Sequence, residues 1–80
     1  MTRGRILEKV NIICKDVFDN ENLTITDATT ANDVEEWDSL AHLSLVTEIM
    51  REFSVKLTLD EINNSRNIGE LIDAVLRHLK

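Results

Sequence analysis

Residues 35–46 read EEWDSLAHLSLV, with two acids and a tryptophan directly before Asp38, Ser39 and Leu40. An apolar run at helical spacing follows, so Asp38 is expected to cap a helix that runs to about Phe53. Ser39 is then the first residue inside, beside amides without intrahelical partners and at the positive end of the helix dipole. Three roles are open to such a serine: a helix-start residue, a nucleophile, or a point where a phosphate ester is attached. At about 100° per residue, Leu40, Leu43, Val46, Ile49, Met50 and Phe53 share one broad apolar arc, with Leu45 at its edge. Ala41, Ser44, Glu48 and Arg51 lie opposite.

Upstream of this stretch the periodicity stops. Residues 19–38, DNENLTITDATTANDVEEWD, are rich in Asn, Asp and Thr, which bond their own backbone and favour turns. Leu23, Ile25, Val34 and Trp37 are the expected anchors of this long loop. Before it, Ile6, Leu7, Val10, Ile13, Cys14 and Val17 recur at three- and four-residue steps and predict a helix from about Thr2 to Phe18. Ile12 falls off that stripe, and Cys14 falls on it, as a buried and inert thiol. Downstream, Thr58 with Glu61 reads as a capping box opening a short helix through Leu59 and Ile62, and Asn67 with Glu70 repeats the pattern. Ile68, Leu71, Ile72, Val75, Leu76 and Leu79 then form a clean helical stripe. The expected fold is all-α: a small bundle of three main helices and one short one, with a long loop after the first.

The chain's 80 residues support one domain, 1–80, able to bury roughly 60% of its unfolded surface. That leaves little room for a deep catalytic cleft. Cys14 is the sole cysteine, so an intrachain disulfide is excluded, and zinc-ligand spacings are not found. No signal peptide or membrane span is read, and a cytoplasmic setting is expected. The net charge is −6, and residues 19–38 hold Asp19, Glu21, Asp27, Asp33, Glu35, Glu36 and Asp38 with no base. This balance argues against nucleic acid and anionic membrane as partners. Mutual repulsion of these acids suggests that salt or divalent cations stabilise the fold.

Catalysis by Ser39 fits poorly. A serine nucleophile needs a base within hydrogen-bond reach. His42 lies one turn along the same helix and projects in parallel, and His78 is on the last helix. Both histidines read as ordinary surface residues, and no catalytic or metal-ligating set is assigned.

Asp38-Ser39-Leu40 entering a helix with Leu43, Val46, Ile49 and Phe53 resembles the attachment motif of acyl carrier proteins. The resemblance extends over most of the chain, through residues 53–62, FSVKLTLDEI, and residues 66–79, RNIGELIDAVLRHL. It implies a carrier that acts as substrate and shuttle and is not an enzyme. A phosphopantetheinyl transferase would move 4′-phosphopantetheine from coenzyme A onto Ser39, using Mg²⁺. The arm's thiol would hold an acyl group as a thioester for delivery to partner enzymes. Asp38 would sit beside the attachment point, and Leu40 would touch both the arm and the partners. An acyl- or aminoacyl-loading ligase or transferase and downstream biosynthetic enzymes are the further partners implied, and a monomer suffices. The wide arc of the second helix could also part to shelter an acyl chain near Leu43, Val46 and Ile62.

Two departures from the family pattern bear on the pathway. Carriers of fatty acid synthesis show several acids on the exposed second helix, whereas this chain has only Glu48 and Glu52 there, with Arg51 between them. Trp37 replaces the small residue common in that type, either as a staple for the loop or as part of a partner surface with His42, Ser44, Glu48 and Arg51. A stand-alone carrier of a specialised pathway, fatty-acid-like or polyketide-like, is therefore expected. An aminoacyl or peptidyl carrier is the nearest alternative, although the glycine-rich sequence that often precedes its serine is missing. An unmodified helical interaction module, with Ser39 as a helix-start residue only, is an alternative of another class.

Overall fold

Thr2 accepts the Arg5 amide at 3.3 Å and so caps the start of α1 (Arg3–Val17). The computed structural model describes residues 2–79, so the two end residues of the expected 1–80 domain lie outside the described residues. Phe18 closes α1, and the next residue, Asp19, takes a left-handed turn (φ 50°) that sends the chain into the long loop. Asp38 caps α2 (Ser39–Phe53), which ends at Ser54 in the left-handed conformation (φ 53°). The capping box at Thr58 is complete: Glu61 N–H donates to Thr58 Oγ1 at 3.1 Å, and Thr58 N–H donates to Glu61 Oε1 at 2.8 Å. It opens α3 (Leu59–Asn64). The last helix is α4 (Ile68–Leu79). Its expected capping box is displaced by one residue. Asn67 Oδ1 accepts the Glu70 amide at 2.9 Å, but the Glu70 carboxylate reaches back to Arg66 N–H at 3.1 Å.

The four helices form the expected all-α bundle, and among the described residues the only extended pairing is one antiparallel bridge between Thr30 and Asn67. No helix among the described residues is long and apolar enough to cross a membrane. The first helix packs on α2 and α4, and α3 packs on α4. Ile6, Val10 and Cys14 bury their face of α1, while Ile68, Leu71, Ile72, Ala74 and Val75 bury theirs on α4. Full burial of one such Ile or Leu contributes about 1.5–3 kcal/mol, so this shared core sets the stability of the domain. Burial pushes the Cys14 thiol up to about 12, which agrees with an inert core residue. Ile12, off the stripe as expected, is exposed.

The loop is structured by its anchors. Ile25, Val34 and Trp37 are buried, Leu23 is half-buried, and Asn11 on α1 accepts the Ile25 amide at 3.0 Å. Its carbonyls also serve α4. Ile68 and Gly69 donate their amides to Thr29 and Asp27 at 3.0 and 2.8 Å, satisfying two of the donors that a helix start leaves open. Arg3 locks the same corner, reaching Asp27 through Nε at 3.1 Å, the Gly69 carbonyl through Nη2 at 3.1 Å, and Asp73 through Nη1. The loop acids do not gather into a chelate: among the described residues no group of three or more potential ligands comes together. Asp27 faces Arg3, Asp33 accepts from the Thr30 amide at 3.0 Å, and Asp38 caps α2.

Two predictions test this scaffold. A Cβ on Gly69 would stand 2.9 Å from the Asp27 carbonyl oxygen, a backbone atom that cannot swing aside. Gly69→Ala should therefore cost about 1–3 kcal/mol in a urea unfolding curve, despite the better helix propensity of alanine. The second concerns Glu61, which also pairs with Arg77 at 3.1 Å and His78 at 2.8 Å. The Thr58 amide first, and then His78, hold its carboxyl at about 2, below an ordinary 4.5. Its contribution is present above pH 4.5 and is lost as the pH falls toward 2. Thermal melts from pH 7 to pH 2 should show Glu61→Gln to be less stable at neutrality and less sensitive within that acid window.

Candidate functional site

Trp37 and His42 organise the start of α2. Trp37 is only 7% exposed, and its ring lies 5.9 Å from Phe18 and 5.9 Å from His42, nearly parallel to the latter (24°). A buried indole N–H needs an acceptor, and it donates to His42 Nδ1 at 3.1 Å. The other imidazole nitrogen, Nε2, lies 3.1 Å from the Ile62 carbonyl oxygen on α3. Indole can only donate and a carbonyl can only accept, so the imidazole carries its proton on Nε2. A continuous chain of hydrogen bonds thus joins the end of the loop, the first turn of α2 and α3. Breaking it would leave a half-buried donor and acceptor unpaired, at about 1–3 kcal/mol each.

This arrangement favours one of two open readings and corrects another. Trp37 is buried with its ring between Phe18 and His42, which supports its role as a staple for the loop. His42 is half-buried and doubly bonded and not an ordinary surface residue. His78 is likewise engaged, with Glu61. Of the remaining expected surface, Ser44 and Arg51 are exposed, and Glu48 is half-buried and paired with Arg51 at 3.4 Å.

With the staple in place, the chain enters α2 in a fixed direction. Asp38 Oδ1 accepts the Ala41 amide at 2.8 Å, and the Asp38 carbonyl accepts the His42 amide at 2.9 Å. The Ser39 and Leu40 amides have no hydrogen-bond partner among the described residues. Ser39 itself is exposed at the mouth of a groove of about 590 Å³. Trp37, His42, Leu43 and Ile62 line the groove, with Asn63 and Arg66 across from the serine's helix. Of the groove residues on α3 and beyond, Ile62 was singled out from the sequence, but Asn63, Ser65 and Arg66 were not, because only the tertiary fold brings residues 63–66 to Ser39. Among the described residues no side chain hydrogen-bonds the Ser39 hydroxyl, and both nitrogens of His42 are already bonded.

The apolar arc of α2 is also rotated from its expected position by less than one residue's turn of roughly 100°. Leu45, expected at the edge, is fully buried with Val46, Ile49 and Phe53, whereas Leu40 and Leu43 are 76% and 58% exposed. Together with Ser44 and Thr47 these two leucines line a shallow surface groove of about 250 Å³. The helix has more apolar residues than its core can bury, and the surplus lies next to Ser39. A periodic pattern cannot distinguish a core stripe from a core stripe with an exposed extension.

Comparison with known proteins agrees with this geometry. A family model described as phosphopantetheine attachment site matches residues 12–75. Among solved structures, the chain is similar to the solution NMR structure of a holo acyl carrier protein from Geobacter metallireducens, with a TM-score of 0.85 and 34% sequence identity. That similarity covers 92% of this chain and 85% of the other. The comparison with curated protein sequences gives no match.

Proposed function

The chain belongs to the phosphopantetheine-attachment family, whose members are carriers and not enzymes, and we propose that Ser39 bears its covalent 4′-phosphopantetheine. The observation that carries this reading is the exposed hydroxyl at the first position of α2, beside two open amides and the mouth of a groove. A phosphodiester on Ser39 would meet the Ser39 and Leu40 amides at the positive end of the helix. Asp38 is held by its capping bond and so stands at a fixed place beside the serine for the transferase and its Mg²⁺. Once bound, the arm supplies the thiol that holds an acyl group as a thioester. Chemistry on that group is done by partner enzymes: a phosphopantetheinyl transferase, a loading ligase or transferase, and the downstream biosynthetic enzymes.

The docking face next to Ser39 suits partners of a specialised pathway better than those of housekeeping fatty acid synthesis. Leu40, Leu43, Ser44 and Thr47 carry no charge, and the Glu48 carboxylate is paired with Arg51. Such a face offers apolar contact and little attraction to a basic patch.

Intact-mass measurement tests the attachment. After incubation with a promiscuous transferase, Mg²⁺ and coenzyme A, the wild-type protein should gain one phosphopantetheine group and Ser39→Ala none. A folded wild type that gains nothing would refute the assignment. The docking reading is checked by exchange: the loaded protein should be a poor substrate for fatty-acid elongation enzymes, and Arg51→Glu should improve it. Elongation at the rate of a native fatty-acid carrier would overturn the specialised role.

A further inference from the structure

We propose that His42 latches the mouth of the α2–α3 seam, so that Ser39 carries short acyl groups with an oxygen function, held in the surface groove and not inside the bundle. The inference rests on attachment at Ser39. A chain entering the bundle from that serine would have to pass between the first turn of α2 and α3. His42 spans this gap, with Trp37 on Nδ1 and the Ile62 carbonyl on Nε2. Below the latch the stacked Trp37 ring blocks the way, and Leu45, Val46 and Ile49 beyond it are essentially without exposure.

Opening the seam would orphan the indole N–H and the Ile62 carbonyl. Ser65, also in the groove lining, cannot replace His42, because its hydroxyl is bonded to the Glu61 carbonyl. A few methylenes gain too little from burial to offset two lost hydrogen bonds and the displacement of a filled core. The groove outside needs no such opening. Its α3 side offers Asn63 and Arg66, whose side chains form no hydrogen bond or ion pair among the described residues, and Arg66 is the one cation in the lining. Asp38, the acid of the lining, is already engaged by the Ala41 amide. Free amide and guanidinium donors match a carboxylate or hydroxyl on the acyl group.

The test loads wild type and His42→Ala with acyl-phosphopantetheine from butyryl-, succinyl- and octanoyl-coenzyme A. Failure to load any of them onto folded protein refutes attachment itself. Loading confirmed by mass leaves the latch to be judged separately. Trp37 is the single tryptophan, so one indole N–H cross-peak reports the latch. In wild type that peak should stay in place with all three groups, and His42 should keep its Nε2-protonated tautomer in ¹⁵N spectra. Cleavage of the octanoyl thioester by hydroxylamine should match that of octanoyl-coenzyme A. In His42→Ala the octanoyl group should move the indole peak and resist cleavage about tenfold more, the effect expected of one lost hydrogen bond. Succinyl, and not butyryl, should shift the Asn63 and Arg66 side-chain signals in wild type. An octanoyl group that moves the indole or changes the His42 tautomer in wild type would overturn the latch. This wild-type arm decides the matter even if His42→Ala does not fold. Equal responses to succinyl and butyryl would overturn the preference for an oxygen function.

Discussion

A buried indole N–H that must find an acceptor governs the geometry of the site. Trp37 closes the bottom of the loop against Phe18, and once there it has to bond something. Its partner is on the first turn of α2, five residues on, and that partner in turn bonds α3. The direction in which the chain enters α2 follows from this bond. So do the exposure of Ser39 and the shape of the groove in front of it. A phenylalanine in place of Trp37 could fill much of the same volume, but would leave His42 Nδ1 without a donor.

Much of this was legible before any coordinates. Helix starts carry their own chemistry, so Asp38 and Thr58 lie where their side chains can accept the expected amides. The periodic stripes of α1 and α4 lie on the core because each of these helices has one apolar face and one neighbourhood to bury it in. Less legible was whatever depends on residues far apart in the chain. Gly69 looks like a weak point in a helix until the Asp27 carbonyl is found against its Cα. Arg3 looks like an exposed N-terminal base until it closes the corner between loop and α4. Asn11 gives no local sign that it will hold Ile25.

The site divides in the same way. Ser39 could be found from its position next to a cap together with the resemblance of Asp38-Ser39-Leu40 to an attachment motif, both of which are local information. His42 could not, because its role depends on one bond to Trp37 and another to a carbonyl twenty residues on. The rotated arc of α2 has a different cause. Periodicity records which residues avoid water, and a surface that binds partners intermittently selects the same residue types as a core. Leu40 and Leu43 were therefore indistinguishable by type from Val46 and Ile49, although the first two are exposed and the last two are buried.

Charge follows a separate logic. The acids of residues 19–38 suggest an electrostatic surface, yet the structure gives several of them individual local tasks. Asp27 takes Arg3, Asp33 shapes a turn and Asp38 caps a helix. Each uses a carboxylate as a hydrogen-bond acceptor for nearby donors, where its strength is greatest and salt screening weakest. The patch of α2 formed by Leu40, Leu43, Ser44 and Thr47 carries no charge. An association built on such a face gains little from long-range steering, so its specificity has to come from shape at close contact. Two exposed leucines beside a serine on a rigid first turn supply that shape. The same Trp37–His42–Ile62 chain ties that first turn to the loop and to α3, so under the proposed function partner recognition and the placement of cargo would share one set of bonds.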